Sequence, residues 1–344
     1  LRTGCPYGTH RVLEPPGTLP QGAWKLDNTS ELYDNEILVD VDLLNVDAAS
    51  FTQMRGEAGD DPARIAAIVE DIVRRRGKLH NPVTGSGGMF TGRVAAVGRA
   101  LRDRPLREGE RVASLVSLSL TPLRLFRIER IDPARDRLAV KGRAVLFETG
   151  VYTVLPDDLS EGVALAVLDV AGAPAQTARL VAPGDTVVVV GGGGKSGLLC
   201  LYEAQKRSGV TGRVIGIGSG EGSCERMRRT GLADTVLRVD AADPLAMLAA
   251  VREATYGRLA DLTINCVSRP GTEMGSILAT REGGTVYFFS MATSFTAAAL
   301  GAEGVGKDVR LLIGNGYARG HAAMALQVLR ESPALKALFE ERYG

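Results

Sequence analysis

The segment Val187–Cys200 reads VVVVGGGGKSGLLC: a β-branched run, four glycines, Lys-Ser-Gly, and then an apolar stretch able to form a helix. Glycines followed by Lys-Ser resemble a triphosphate-binding loop. That loop needs a glycine five positions before the glycine of its Gly-Lys pair. Here the position is Val189, inside the strand, so the triphosphate reading fails on spacing. Gly192, Gly194 and Gly197 instead match the dinucleotide spacing GxGxxG. The strand–loop–helix context is the one this fingerprint requires. The chain turns tightly, its backbone can approach a pyrophosphate, and free helix N–H groups meet the negative charge.

The surrounding sequence extends this pattern. After Pro174, apolar strands such as RVIGIG, DTVLRVD, ADLTINCV and TVYFFSM alternate with amphipathic segments. Strands that are apolar throughout and alternate with helices predict a parallel sheet covered on both faces. TEMGSILATREGG reads as one of the helices, DVRLLIGNG as a sixth strand, and HAAMALQVLRES and PALKALFEERYG as closing helices. The N-terminal third differs. EILVDVDLLNV (Glu36 to Val46) alternates as a strand does. DPARIAAIVEDIVRRRG has helical spacing, an Asp cap and a Gly stop, and Ile128–Ala144 reads as a charged surface hairpin. The predicted class is α/β: a β-rich, GroES-like domain over 1–168, a doubly wound Rossmann domain over 169–330, and a C-terminal helix over 331–344.

Composition excludes several functions. With 45% hydrophobic residues and a formal net charge of +1, the chain is neither disordered nor basic enough for a nucleic-acid partner. No apolar run approaches the roughly 20 residues of a membrane span. LRTGCPYGTH lacks a signal-type apolar region, and the four cysteines form no CxxC pair, so a cytoplasmic location is expected.

The end of the strand after the glycine loop bears on the choice of cofactor. An acidic residue there would hold the 2′-hydroxyl of NAD. RVIGIG ends instead at Gly218 and Ser219, which leaves room and a hydroxyl for a 2′-phosphate. This favours NADP(H), with NAD(H) also allowed. Lys195, Ser196 and Gly193 complete the loop, and Arg226 and Arg228 lie on the next helix. Cys266, Val267, Ser290 and Met291 close the fourth and fifth strands, where ligands of open α/β sheets lie.

GRVAAVG (Gly92 to Gly98), EGERVA (Glu108 to Ala113) and PGDTVVVVGGGG (Pro183 to Gly194) together resemble the medium-chain dehydrogenase/reductase superfamily. GCPYGTHRVLEP, NVDAASFTQM, NPVTGSGGMFTGRV and LDVAGAPAQT narrow the likeness to the L-erythro-3,5-diaminohexanoate dehydrogenase family. The resemblance implies oxidative deamination of a diamino acid to 5-amino-3-oxohexanoate and ammonia in lysine fermentation. It also implies a homo-oligomer, with a dimer through DVRLLIGNG favoured. A zinc-independent alkene or quinone reductase of the same superfamily is the alternative activity.

Zinc-dependent relatives in the superfamily place a cysteine, a histidine and an acid or cysteine where this chain has Asp47, Gly88 and Asp169. Two aspartates make a poor zinc site, so no metal is expected. An ammonium substrate instead calls for carboxylates to attract it and a base to take its proton. Asp47 and Asp169 are therefore the candidate catalytic residues. Ser50, Thr84, Ser86 and Glu148 are the candidate substrate contacts.

Overall fold

The computed structural model describes residues 2–314 and 316–344, which form two compact units dividing between Asp157 and Asp158. The first unit begins with an antiparallel ribbon of β1 (Val12–Glu14) and β2 (Lys25–Leu26), followed by β3 (Glu36–Val46). Two helices come next, α1 (Ala48–Ala58) and α2 (Pro62–Arg76). The remaining strands are β4 (Gly88–Val97), β5 (Arg111–Ser114), β6 (Leu123–Asp132), β7 (Arg137–Phe147) and β8 (Tyr152–Val154). Strands β3 to β8 form one antiparallel sheet in the order β6-β7-β3-β4-β5-β8.

Helix α2 forms as its sequence dictates. The Asp61 carboxylate accepts the Ala63 N–H at 2.9 Å, Pro62 opens the helix, and Gly77 closes it at φ +65°. Its apolar stripe Ile65, Val69 and Val73 is buried with Ile37, Val39 and Leu44 of β3. The segment expected to be a surface hairpin is longer and deeper than that. β6 and β7 do form a hairpin, but β7 also pairs with β3, so Leu138, Val140 and Ala144 belong to the core. Charged residues at alternate positions had masked a strand with one buried face.

The second unit begins with α3 (Glu161–Leu168), which the sequence reading placed in the first domain, and α4 (Gly172–Leu180). Then follow β9 (Thr186–Val190), α5 (Lys195–Ser208), β10 (Arg213–Gly218), α6 (Glu221–Thr230), β11 (Thr235–Arg238) and α7 (Pro244–Ala254). β12 (Ala260–Asn265), α8 (Glu273–Ala279), β13 (Thr280–Phe288), α9 (Phe295–Gly304) and β14 (Arg310–Ile313) continue the alternation. Helices α10 (His321–Glu331) and α11 (Pro333–Tyr343) end the chain.

The six strands run parallel in the order β11-β10-β9-β12-β13-β14, with all four valines Val187–Val190 fully buried. The fold is α/β: an antiparallel β-rich domain followed by a doubly wound Rossmann domain. Helix α8 stops at Ala279, earlier than its sequence suggests, because TREGG from Thr280 already belongs to β13. Strand β14 fulfils the sixth-strand expectation, although Asn315 of DVRLLIGNG lies outside the described residues. Among the described residues no helix is long and apolar enough to cross a membrane.

Candidate active site

In the parallel sheet, the strand order reverses between β9 and β12, and open α/β sheets bind ligands at such a switch point. A cavity of about 310 Å³ opens there, lined by Gly194, Gly218, Ser219, Arg226, Asp240 and Cys266 among others. The glycine loop forms one wall. A Cβ on Gly197 would stand 2.2 Å from the Gly191 carbonyl oxygen, so only glycine lets α5 start so close to the end of β9. Gly194 differs, since the nearest atom to a Cβ there is 3.4 Å away. Its bare backbone therefore leaves room on the cavity side. Gly194 is the N-cap of α5 and supplies no side-chain cap, so the first-turn N–H groups have no side-chain acceptor. Ser196 and Gly197 lie in that turn, and Gly192 and Gly193 in the loop before it. Bare backbone, uncapped donors and a helix N-terminus fit a pyrophosphate.

The second wall is basic. Arg226 on α6 donates its Nε–H to the Gly193 carbonyl at 2.8 Å and keeps its guanidinium at the cavity. Arg228 is engaged elsewhere, on Glu221 at 2.6 Å. The carboxylate nearest the cavity, Asp240 after β11, is paired with Arg269 at 3.2 Å. Cys266 lines the cavity with its Sγ 3.9 Å from that of buried Cys200. Val267 N–H donates to the Asn265 side chain at 3.0 Å, and that side chain donates in turn to Thr272 and Ser276.

Ser290 and Met291 stand apart from this cavity. β13 ends at Phe288, the Ser290 hydroxyl accepts the Ala292 N–H at 3.1 Å, and Met291 is exposed. Lys195 is held by a carboxylate. Its ammonium donates to Asp169 at 2.6 Å, with both side chains about one-third exposed. Asp169 is the C-cap of α3, so this pair joins the glycine-loop helix to α3.

In the first unit four of the expected residues gather at one end of β3. Asp47 follows β3 and caps α1, its Oδ1 accepting the N–H groups of Ala49 and Ser50 at 3.0 and 3.3 Å. The Ser50 side chain, almost fully buried, has its hydroxyl 2.6 Å from those of both Thr84 and Ser86. Asn81 organises this loop. Its Oδ1 accepts from Val83 and Thr84 N–H, and its Nδ2 donates to Gln53 at 2.8 Å. In the sequence, the Asn-Pro pair at Asn81 and Pro82 marks a turn but not this organising role.

Glu148 does not join this group. It follows β7 beside the start of β3, where Phe147 pairs with Glu36, and it accepts from Asn35 at 2.9 Å. The eleven-residue β3 separates it from Asp47, roughly 30 Å at about 3.3 Å per residue. His80 lies in the loop before Asn81, with a buried Nδ1 lacking a partner. His10 lies 2.8 Å from buried Glu36, beside Arg11. Among the described residues no three His, Cys, Asp or Glu side chains are grouped to share a metal ion.

Fold and glycine loop together define a dinucleotide-binding protein: a β-rich domain followed by a Rossmann domain, the fold of many solved oxidoreductases. Solved structures of similar fold include a mycobacterial quinone oxidoreductase (TM-score 0.52, 20% identity, 90% of this chain and 82% of that one). Another is the mycobacterial Rv1454c complexed with NADPH (TM-score 0.54, 19% identity, 90% of this chain and 81% of that one). Residues 10–156 match the family model of the L-erythro-3,5-diaminohexanoate dehydrogenase N-terminal domain. The L-erythro-3,5-diaminohexanoate dehydrogenase of Acetoanaerobium sticklandii is 55% identical over 99% of both chains. That of Fusobacterium nucleatum subsp. nucleatum is 52% identical over 100% of both. The chain belongs to the L-erythro-3,5-diaminohexanoate dehydrogenase family.

Proposed function

We propose that the enzyme oxidatively deaminates L-erythro-3,5-diaminohexanoate to 5-amino-3-oxohexanoate and ammonia, with NADP(H) favoured over NAD(H). The observation that carries this reading is identity above one-half, along the full chain, with two enzymes named for that substrate. The oxidised nicotinamide would supply a hydride acceptor for the amine-bearing carbon; water then adds to the resulting substrate imine, giving the ketone its oxygen, and ammonia leaves. The chain's own residues hold the cofactor, attract the ammonium groups and move protons.

Gly192, Gly193, Gly194, Ser196 and Gly197 are assigned to the pyrophosphate, with Gly218 and Ser219 beside the adenosine ribose. Arg226 and the absence of a strand-end carboxylate support the 2′-phosphate preference. Cys266 and Val267 are assigned to the nicotinamide half. Asp47 and Asp169 are assigned to the substrate amines, because carboxylates are what a cation needs before a proton can leave. The hydroxyls of Ser50, Thr84 and Ser86 can pass a proton or hold the intermediate. Zinc plays no part in this assignment, since the positions that would bear its ligands are Asp47, Gly88 and Asp169. Glu148, far along β3 from Asp47, is given no role in the reaction.

A homodimer through β14 is part of the proposal. β14 is an edge strand with Leu312 and Ile313 exposed, and an open apolar edge favours pairing with another chain. A cytoplasmic location accords with four cysteines that form no disulfide. Cofactor turnover followed by nicotinamide fluorescence, with the diamino acid and separately with a quinone, tests the function. Turnover with the diamino acid alone is expected, and turnover with the quinone alone overturns it.

A further inference from the structure

The ion pair between Lys195 and Asp169 is built against the local rules. Lys195 is the first residue of α5, so its ammonium sits at the positive end of that helix. Asp169 caps the C-terminus of α3, so its carboxylate sits at the negative end. Each charge would be better placed at the opposite helix end. Positions that break such rules are where function is expected. Both side chains remain about one-third exposed, so the pair is reachable, and Lys195 has N–H donors beyond the one on Asp169. The dinucleotide cavity is served by a different cation, Arg226, and by backbone N–H groups.

We infer that Lys195 receives the carboxylate of the substrate while Asp169 receives the amine at C3, so that the pair selects which amine is oxidised. The inference rests on the function proposed above. The substrate carries a carboxylate at C1 and amines at C3 and C5. Only the C3 amine is close enough to the carboxylate for both to meet a Lys–Asp pair 2.6 Å long. Laid head to tail, the two zwitterions put each positive group on a negative one. The C5 amine has no carboxylate at that spacing, so it cannot occupy the same place. Lys195 thereby acts on the substrate and not on the cofactor phosphates.

The experiment compares wild type with Lys195→Met and Lys195→Arg, after melting curves establish that each is folded. It measures kcat and KM for 3,5-diaminohexanoate and for 2,4-diaminopentane, which lacks the carboxylate. It also measures the Kd of reduced cofactor alone by fluorescence, and the position of the new ketone by NMR. Lys195→Met is expected to raise KM for the diamino acid roughly 100-fold. It should leave cofactor Kd near wild type and abolish discrimination against the diamine. Some 3-amino-5-oxohexanoate should form, and Lys195→Arg should recover part of the loss. An unchanged KM, or a cofactor Kd that rises as much as KM, overturns the inference; the second result would make Lys195 a phosphate ligand. If wild type turns over no diaminohexanoate, the functional reading falls and takes the inference with it. Wild-type turnover with an unaffected Lys195→Met enzyme overturns the inference alone.

Discussion

Gly197 lies so close to Gly191 that a Cβ on it would stand 2.2 Å from the Gly191 carbonyl oxygen. Neither partner is the end of a flexible side chain, so nothing there can yield cheaply. Gly197→Ala should cost about 1–3 kcal/mol through forced backbone shifts. It should also displace the α5 N–H groups assigned to the pyrophosphate, so that cofactor titration of the folded variant reads a higher Kd. Gly194→Ala, with 3.4 Å of space from the protein, should melt near wild type and still lose cofactor affinity.

Cofactor preference is best tested at Ser219 and Arg226. Gly218→Asp, the obvious change from sequence alone, would push a Cβ to 2.7 Å from the Ser223 hydroxyl. Ser219 is exposed at the cavity. Ser219→Asp should repel a 2′-phosphate and shift the ratio of kcat/KM values toward NAD. Arg226→Gln should weaken NADP binding more than NAD binding. A wild-type enzyme that prefers NAD contradicts the assignment.

Asp47 has two separable roles. As the cap of α1 it accepts two N–H groups, a task Asn performs about as well. Asp47→Ala should therefore lose roughly 0.5–2 kcal/mol of stability, whereas Asp47→Asn should melt like wild type. If the carboxylate takes the proton, Asp47→Asn should lower kcat on the order of 10²–10⁴-fold. Loss of a pure binding partner would mainly raise KM instead, and the same comparison applies to Asp169→Asn. Near-wild-type kcat/KM in both variants would make the two aspartates structural.

His80 links stability to pH. Burial, reinforced by the Arg76 and Lys78 cations, lowers its pKa from 6.5 to about 4. In the unfolded chain it takes its proton near pH 6.5. Between those values the unfolded state binds more protons, so stability is full above 6.5 and falls as pH falls toward 4. The melting temperature of wild type should drop faster over that window than that of His80→Gln. Parallel curves would contradict the shift.

The parallel-sheet unit was legible because its strands are buried on both faces and read as continuous apolar runs, of which VVVV is the plainest. Helix α1 was not, since the only apolar stripe in AASFTQMRGEA is the short set Phe51, Met54 and Ala58, and the helix depends on the Asp47 cap and on burial of those side chains. The Ser50, Thr84 and Ser86 hydroxyls were each suspected, but their meeting depends on a loop folded around Asn81. The place of Glu148 was not legible either. Chain position says nothing of strand register, and the β3–β7 pairing puts it at the far end from Asp47.

Oxidation by this enzyme should release an amine nitrogen. Ammonia and reduced cofactor should be measured together, anaerobically, during turnover of L-erythro-3,5-diaminohexanoate with NADP⁺. One ammonia should form for each cofactor reduced, with 5-amino-3-oxohexanoate as the organic product. Cofactor reduction without ammonia, or no reduction under conditions where a quinone is reduced by NADPH, would contradict it.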